Sequence, residues 1–177
     1  MSTSISNTEI KINQQAFIDE LLNDYKLMCL SREASLLGRK EVLTGKAKFG
    51  IFGDGKELPQ IVMAKFFRNG DIRSGYYRDQ TFMLAIGKLT VKQFFAGLYA
   101  HTNIEKEPTS AGRQMGGHFS TKFINEDGKW LDLANQKNST SDISPTAAQM
   151  PRLVGLGLAS KMYLSLIHIS EPTRLEP

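Results

Sequence analysis

Gly75-Tyr76-Tyr77-Arg78-Asp79-Gln80-Thr81 sets two phenols, a guanidinium and a carboxylate side by side. Before it, Gly70-Asp71-Ile72-Arg73-Ser74 reads as a turn running into a short strand. After it, Phe82-Met83-Leu84-Ala85-Ile86 is an apolar run at helical spacing. Strand, polar tip and helix in this order are how an open α/β sheet presents a ligand, outside the carboxyl ends of its strands. Arg is the side chain best shaped to grip a phosphate through two parallel hydrogen bonds. The stretch therefore reads either as an anion-binding corner or as a solvated turn with an Arg78–Asp79 salt bridge.

Working outward, the rest of the chain must build the scaffold for this tip. Its 177 residues fit one domain, and a hydrophobic content of 41% is enough for a core. A net charge of +4 suits a small anionic ligand. The basic residues are too evenly spread to form the stripe or patch that nucleic acid requires. Cys29 is the only cysteine, which rules out an internal disulfide and points to a reducing compartment. The polar start, Met1 to Thr8, lacks an apolar segment of signal length. No apolar run approaches the roughly 18 residues that a membrane helix needs. The expectation is a cytoplasmic protein that binds neither nucleic acid nor membrane.

From Gln14 to Leu43 the pattern is helical, with Phe17, Leu21, Tyr25 and Met28 at i, i+4 and i+3 steps and Ile18 and Leu22 widening the stripe. Ser31 to Leu37 either continues this helix or begins a second, and Gly38 and Gly45 bracket its end. Phe49-Gly50-Ile51-Phe52-Gly53-Asp54-Gly55 follows. It suits a tight turn where two backbones, or backbone and ligand, come close. It is not a P-loop, because the Gly-Lys-Ser/Thr ending is missing. A helix opening near Pro59 is expected to stop at Asn69-Gly70.

Thr90 reads as a helix N-cap ahead of an aromatic face, Val91, Phe94, Phe95, Leu98 and Tyr99, that suits a core or a subunit contact. Residues 102–143 read mostly as loop. They carry Gly112-Arg113-Gln114-Met115-Gly116-Gly117-His118-Phe119 and then a polar run from Asn125 to Asp142. Long loops in compact domains are usually functional or disordered. His118 is either an ordinary loop histidine with one hydrogen bond or a functional acid, base or anion contact. Ser144-Pro145-Thr146-Ala147-Ala148-Gln149-Met150-Pro151 is a short rigid segment. A small-residue helix is expected after it, from about Arg152 to Tyr163.

The chain then reads Leu164-Ser165-Leu166-Ile167-His168-Ile169-Ser170-Glu171-Pro172-Thr173-Arg174. This string resembles an in-frame translation of a transposase adapter used in sequencing libraries. Residues 164–177 are accordingly expected to be a non-native tail, with the helix breaking at Leu164 and His168 without a role.

Three stretches together, Gly75 to Gln80, Gly112 to Phe119, and Ser144 to Pro151 with its helix, resemble the alpha subunit of thiamine-diphosphate-dependent 2-oxo-acid dehydrogenases in letters, order and spacing. Gly112-Arg113-Gln114-Met115 with His118, and Ser144-Pro145 with Gln149 and Pro151, are most similar to the branched-chain (2-oxoisovalerate) type. The resemblance spans about residues 14–163. It implies an α/β thiamine-diphosphate-binding fold, a parallel sheet flanked by helices, of which only the N-terminal part is represented. The implied organisation is a helical extension over 1–48 and a partial cofactor-binding domain over 49–163.

The implied activity is oxidative decarboxylation of a branched-chain 2-oxo acid with acyl transfer to a lipoyl group. The implied partners are a beta subunit or fused beta region and a lipoyl-bearing acyltransferase, in a hetero- or homo-oligomer. A pyruvate or acetoin dehydrogenase alpha subunit and a non-catalytic assembly subunit are the alternatives. Position by position, Tyr76, Tyr77 and Arg78 match the segment that holds the cofactor diphosphate. Ser144 and Thr146 match positions that meet its aminopyrimidine ring. Phe49, Tyr77, Met115 and His118 match positions that line the substrate, with His118 as the catalytic candidate, paired in protonated form with the substrate carboxylate.

The chain departs from the family at Gln80, where histidine is frequent, at Thr146, where Leu or Ile is frequent, and at Ala148, where a Thr helps form a monovalent-cation loop. The tract Asn125 to Lys137 is longer than the usual loop. The Gly-Asp-Gly motif for Mg2+ is expected beyond Tyr163. The glutamate that activates the thiazolium is expected in the beta portion, so this chain alone should be inactive.

Overall fold

The computed structural model describes residues 14–141 and 145–170, with side chains described as far as Met162. Among the described residues, five α-helices, α1 (Gln14–Leu43), α2 (Glu57–Phe66), α3 (Gln80–Ala85), α4 (Val91–Leu98) and α5 (Gln149–Ser170), accompany two short strands, β1 (Ile72–Arg73) and β2 (Asn138–Ser139). The strands run parallel, pairing Ile72 with Asn138 and Arg73 with Ser139. The bonds Asn138 N–H to Asp71 O (3.0 Å) and Thr140 N–H to Arg73 O (3.0 Å) extend the ladder at each end. A helix-rich chain with a small parallel sheet is compatible with an α/β fold.

The first helix is continuous to Leu43, so Gly38 lies inside it and only Gly45 (φ +77°) marks its end. Its buried face is not the apolar stripe of Phe17, Leu21 and Tyr25, which is exposed. That face is Ser31, Ala34, Ser35 and Gly38. Small residues let neighbours come close: a Cβ on Gly38 would lie 2.5 Å from the Phe52 ring. The contact with α3 is a polar seam. Ser31 Oγ and Thr81 Oγ1 share a hydrogen bond of 2.6 Å, Ser35 Oγ donates to Ser31 O (3.0 Å), and Gln80 Nε2 donates to Ser35 Oγ. Buried hydroxyls and amides are tolerated where each finds a partner, as these do.

The apolar core adjoins this seam and shares Ala34 of α1 with it. It gathers Ala34, Ala64, Phe82, Met83, Ile86, Leu89, Phe94 and Phe119, with Phe52, Phe67 and Phe95 packed against it. Phe67 meets Phe82 edge to face with ring centres 5.1 Å apart, an arrangement favoured by the ring quadrupoles. Thr90 closes the start of α4 with a capping box: its Oγ1 accepts from Gln93 N–H (3.2 Å), and Gln93 Oε1 accepts from Thr90 N–H (2.9 Å).

Two further sequence expectations change. The second helix ends at Phe66, short of Asn69-Gly70. The described part of residues 102–143 is mostly loop, as expected, but it contains the strand Asn138–Ser139, both residues of which are buried. Asn138 is satisfied there by carbonyls, donating through Nδ2 to Leu133 O (2.8 Å) and Gln136 O (2.9 Å). The last helix does not run from Arg152 to Tyr163 but from Gln149 to Ser170, through the point where a break at Leu164 was expected. Pro151 is the third residue of α5, where the N–H has no intrahelical partner in any case, and no Gly or Pro interrupts the chain from Leu158 to Ser170. Pro172 follows two residues after the end, where the residue before a proline disfavours helix.

Candidate functional site

The tip Gly75–Asp79 leaves the carboxyl end of β1 and turns directly into α3. The turn is closed by Asp79 N–H to Tyr76 O (3.0 Å), and Met83 N–H to Asp79 O (3.1 Å) begins the helix. Asp79 does not cap α3 with its side chain. Its Oδ2 accepts from Tyr76 N–H (2.9 Å) and from Arg73 Nη2 (2.8 Å). The alternative of an Arg78–Asp79 salt bridge is therefore corrected: the partner is Arg73, reaching forward from the buried strand.

The backbone of the tip is held from behind. Gln60 Nε2 donates to Arg78 O (3.2 Å) and Gln60 Oε1 accepts from Phe82 N–H (2.9 Å). Gly53 N–H donates to Gln80 Oε1 (3.2 Å). A Cβ on Gly53 would overlap Arg78 O, so the glycine-rich loop serves as a close backbone approach to the tip. Gly117 (φ +93°) plays the same part from the other side, since a Cβ there would stand 2.6 Å from Tyr77 O.

The side chains of the tip form a cluster. The Tyr76 and Tyr77 rings lie 3.9 Å apart and their hydroxyls touch. The Arg78 guanidinium stands 5.0 Å from the Tyr76 ring centre and 5.6 Å from that of Tyr77. Arg78 Nε is buried and has no hydrogen-bond partner among the described residues. No carboxylate pairs with Arg78 among them either. The Tyr76 hydroxyl titrates below its ordinary value because Tyr77, Thr146 and the Arg78 cation favour its charged form. That of Tyr77 is pushed up, first by its bond to Tyr76.

The loop Gly112–Phe119 completes one wall. The His118 ring lies parallel to Tyr77 at 6.4 Å, and its Nδ1 is 2.8 Å from Met115 O. A carbonyl only accepts, so this bond assigns a proton to Nδ1. The loop is anchored by Glu107, a buried carboxylate that accepts from the N–H groups of Thr109 (3.0 Å), Ser110 (2.8 Å) and Gly112 (3.0 Å), and from Ser110 Oγ (2.7 Å). Burial pushes the Glu107 carboxyl up, and these donors more than offset it, so it titrates below the usual range. A shallow cavity runs behind the loop, lined by Leu89, Phe94, Gly97, Met115 and Phe119.

Of the residues expected at the site, Tyr76, Tyr77, Arg78, Thr146 and His118 come together, with Met115 joined through its carbonyl. Ser74 Oγ donates to Gln149 O (3.3 Å), which ties the start of α5 to the tip. Phe49 is exposed; the next residue, Gly50, lies against Leu98, which Gly116 of the His118 loop also approaches, and its loop reaches the tip through Gly53. Ser144 lies outside the described residues. Arg73, Gln60 and Glu107 carry no motif that would have singled them out. The only sign of Arg73 in the sequence is Gly75 two residues later, where a Cβ would overlap the Arg73 guanidinium.

This chain is similar to the 2-oxoisovalerate dehydrogenase subunit alpha of Bacillus subtilis (strain 168). The two are 32% identical over 148 residues, which is 81% of this chain and 38% of the relative. The chain thus spans well under half the length of the curated relative it matches. No family model matches the chain.

Proposed function

We propose that the chain is part of the decarboxylating alpha subunit of a 2-oxo-acid dehydrogenase of the branched-chain type. It would act with a beta subunit or fused beta region and a lipoyl-bearing acyltransferase, in the cytoplasm. The observation that carries this reading is Arg78. Its charge is matched by no carboxylate among the described residues, its buried Nε lacks an acceptor, and two phenols flank it at the end of a strand. A diphosphate offers the oxygens that such a group lacks. The resemblance to the relative from Bacillus subtilis supports the same assignment.

The residues fit thiamine diphosphate at its phosphate end. Arg78 and the hydroxyls of Tyr76 and Tyr77 would donate to the diphosphate, and Thr146, beside the Tyr76 hydroxyl, would lie toward the ring end with Ser144. When bound, the cofactor supplies the electron sink for decarboxylation. The chain's own work is to hold and to orient. Gln60, Gly53 and Gly117 lock the tip backbone so that little is left to reorganise when an anion arrives. Protonated His118, with Nδ1 committed to Met115, would present Nε2 to a substrate carboxylate beside Tyr77. Met115 and Phe49 would supply apolar surface for a branched side chain. Among the described residues no group of His, Cys, Asp or Glu could hold a metal, and the reading assigns the Mg2+ ligands to sequence beyond Tyr163.

The test is turnover. The full-length subunit with its beta partner should release carbon dioxide from branched-chain 2-oxo acids faster than from pyruvate, and only with thiamine diphosphate present. The 177-residue chain alone should release none. Turnover preferring pyruvate would move the assignment to the pyruvate or acetoin branch, and no cofactor-dependent release from any 2-oxo acid would refute it.

A further inference from the structure

We propose that Arg73 is a positioning residue for the anion corner, acting by keeping the Asp79 carboxylate away from Arg78. The inference rests on the reading of Arg78 as the diphosphate contact. Arg73 leaves β1 into the protein and is nearly fully buried. Its Nη1 donates to Ser139 Oγ on β2 (2.7 Å) and lies 3.6 Å from Met83 Sδ on α3. Its Nη2 donates to Tyr76 O (3.1 Å) and to Asp79 Oδ2 (2.8 Å). One planar guanidinium thus joins both strands, the tip and α3, which a point-charged ammonium could not do from one position.

Two consequences follow from these bonds. Tyr76 O accepts from both Asp79 N–H and Arg73, so both of its lone pairs are used and the peptide that aims Tyr77 and Arg78 is fixed. Asp79, adjacent to Arg78 in the chain, faces Arg73 instead. Without the Arg73 cation, the nearest positive charge for Asp79 would be Arg78, and that pairing would quench the group assigned to the ligand. Arg73 itself is not a ligand: it is buried and its charge is already met. Gly75 is the sequence mark of the arrangement, because the chain crosses directly over the guanidinium.

The experiment measures inorganic pyrophosphate binding, with Mg2+ present, by calorimetry to the full-length subunit with its proposed beta partner and to its Arg73→Met, Asp79→Asn and double variants. Tyrosine ionisation followed by ultraviolet absorbance is the second readout. Arg73→Met should bind pyrophosphate at least about tenfold more weakly. The double variant should recover most of that loss, since it contains no carboxylate to capture Arg78. A merely structural role is also relieved in the double variant, which removes the unpaired carboxylate, so the tyrosine step is the readout that separates the two. In Arg73→Met the lowest tyrosine step should move up, because Arg78 no longer favours the Tyr76 phenolate, and it should return in the double variant.

Equal affinity in Arg73→Met and wild type overturns the proposal, and so does a double variant no better than the single one. If the wild type binds no pyrophosphate, the diphosphate reading of Arg78 fails. The tyrosine titration then decides the positioning claim alone, with an unchanged step in Arg73→Met against it. If Arg73→Met does not fold, Arg73→Gln, which keeps a donor for Ser139 or Tyr76 but no charge, carries the same expectations.

Discussion

Arg73 Nη2 meets Asp79 Oδ2 at 2.8 Å across the base of the tip, while Arg78, beside Asp79 in sequence, has no carboxylate partner among the described residues. One arginine of the tip is therefore structural, and the other is the one that the proposal gives to a ligand. Removing Asp79 leaves a buried cation without its charge partner, which is among the more costly single changes. Asp79 is itself partly exposed, so water softens the loss. Asp79→Ala should lower unfolding free energy by about 2–3 kcal/mol, read from the denaturant midpoint, and Asp79→Asn by less.

The start of α2 carries a second ion pair with a pH signature. Glu57 accepts from Arg32 Nε (2.6 Å) and Nη2 (2.9 Å), and from Gly55 N–H. The bonds from Arg32 lead in holding its carboxyl down from 4.5 to about 2. Its folded value is below its unfolded value, so the stabilisation is complete above about pH 4.5. It is lost as pH falls from there toward 2. Arg32 is half exposed, so the pair contributes less than the full shift implies, about 1–2 kcal/mol. Glu57→Gln should destabilise by that amount at pH 7 and by almost nothing at pH 2. An equal loss at both pH values would contradict the role given to the pair.

Glycine substitutions separate close approach from open space. Gly53→Ala places a methyl group against Arg78 O and should cost about 1–3 kcal/mol, because backbone on both sides must shift. It should also disturb the tip. Gly157 in α5 has nothing within 4 Å of an added Cβ, so Gly157→Ala should stabilise by about 0.5–1 kcal/mol through helix propensity alone. Thermal melts of the two variants should move in opposite directions.

Strand, tip and helix could be read from the sequence because the polar run Gly75–Asp79 separates an extended segment from an apolar run at helical spacing. The Thr90 cap was legible for a similar reason, since the signal is local. The second strand was not legible. Asn138 and Ser139 look like solvated loop, and what buries them is a set of partners far away in the chain: Asp71 O, Arg73 and Thr121. The roles of Gln60 and Glu107 likewise come from which backbone groups the fold brings to them. The Phe17 to Tyr25 stripe misleads in the opposite direction, because helical spacing reports a face and not what covers it. The described residues of the three stretches that carry the family resemblance are adjacent in space, through Ser74 and Gln149, Tyr76 and Thr146, and Tyr77 and His118.

The central claim is the proposed contact between Arg78 and the diphosphate of thiamine diphosphate. It is tested most directly by calorimetric titration of thiamine diphosphate, with Mg2+, into the full-length subunit with its proposed beta partner, wild type against Arg78→Ala. Losing a charge-assisted pair of bonds should weaken binding by at least about tenfold, with the melting temperature of the cofactor-free protein little changed. Equal affinity for the two proteins would contradict the account.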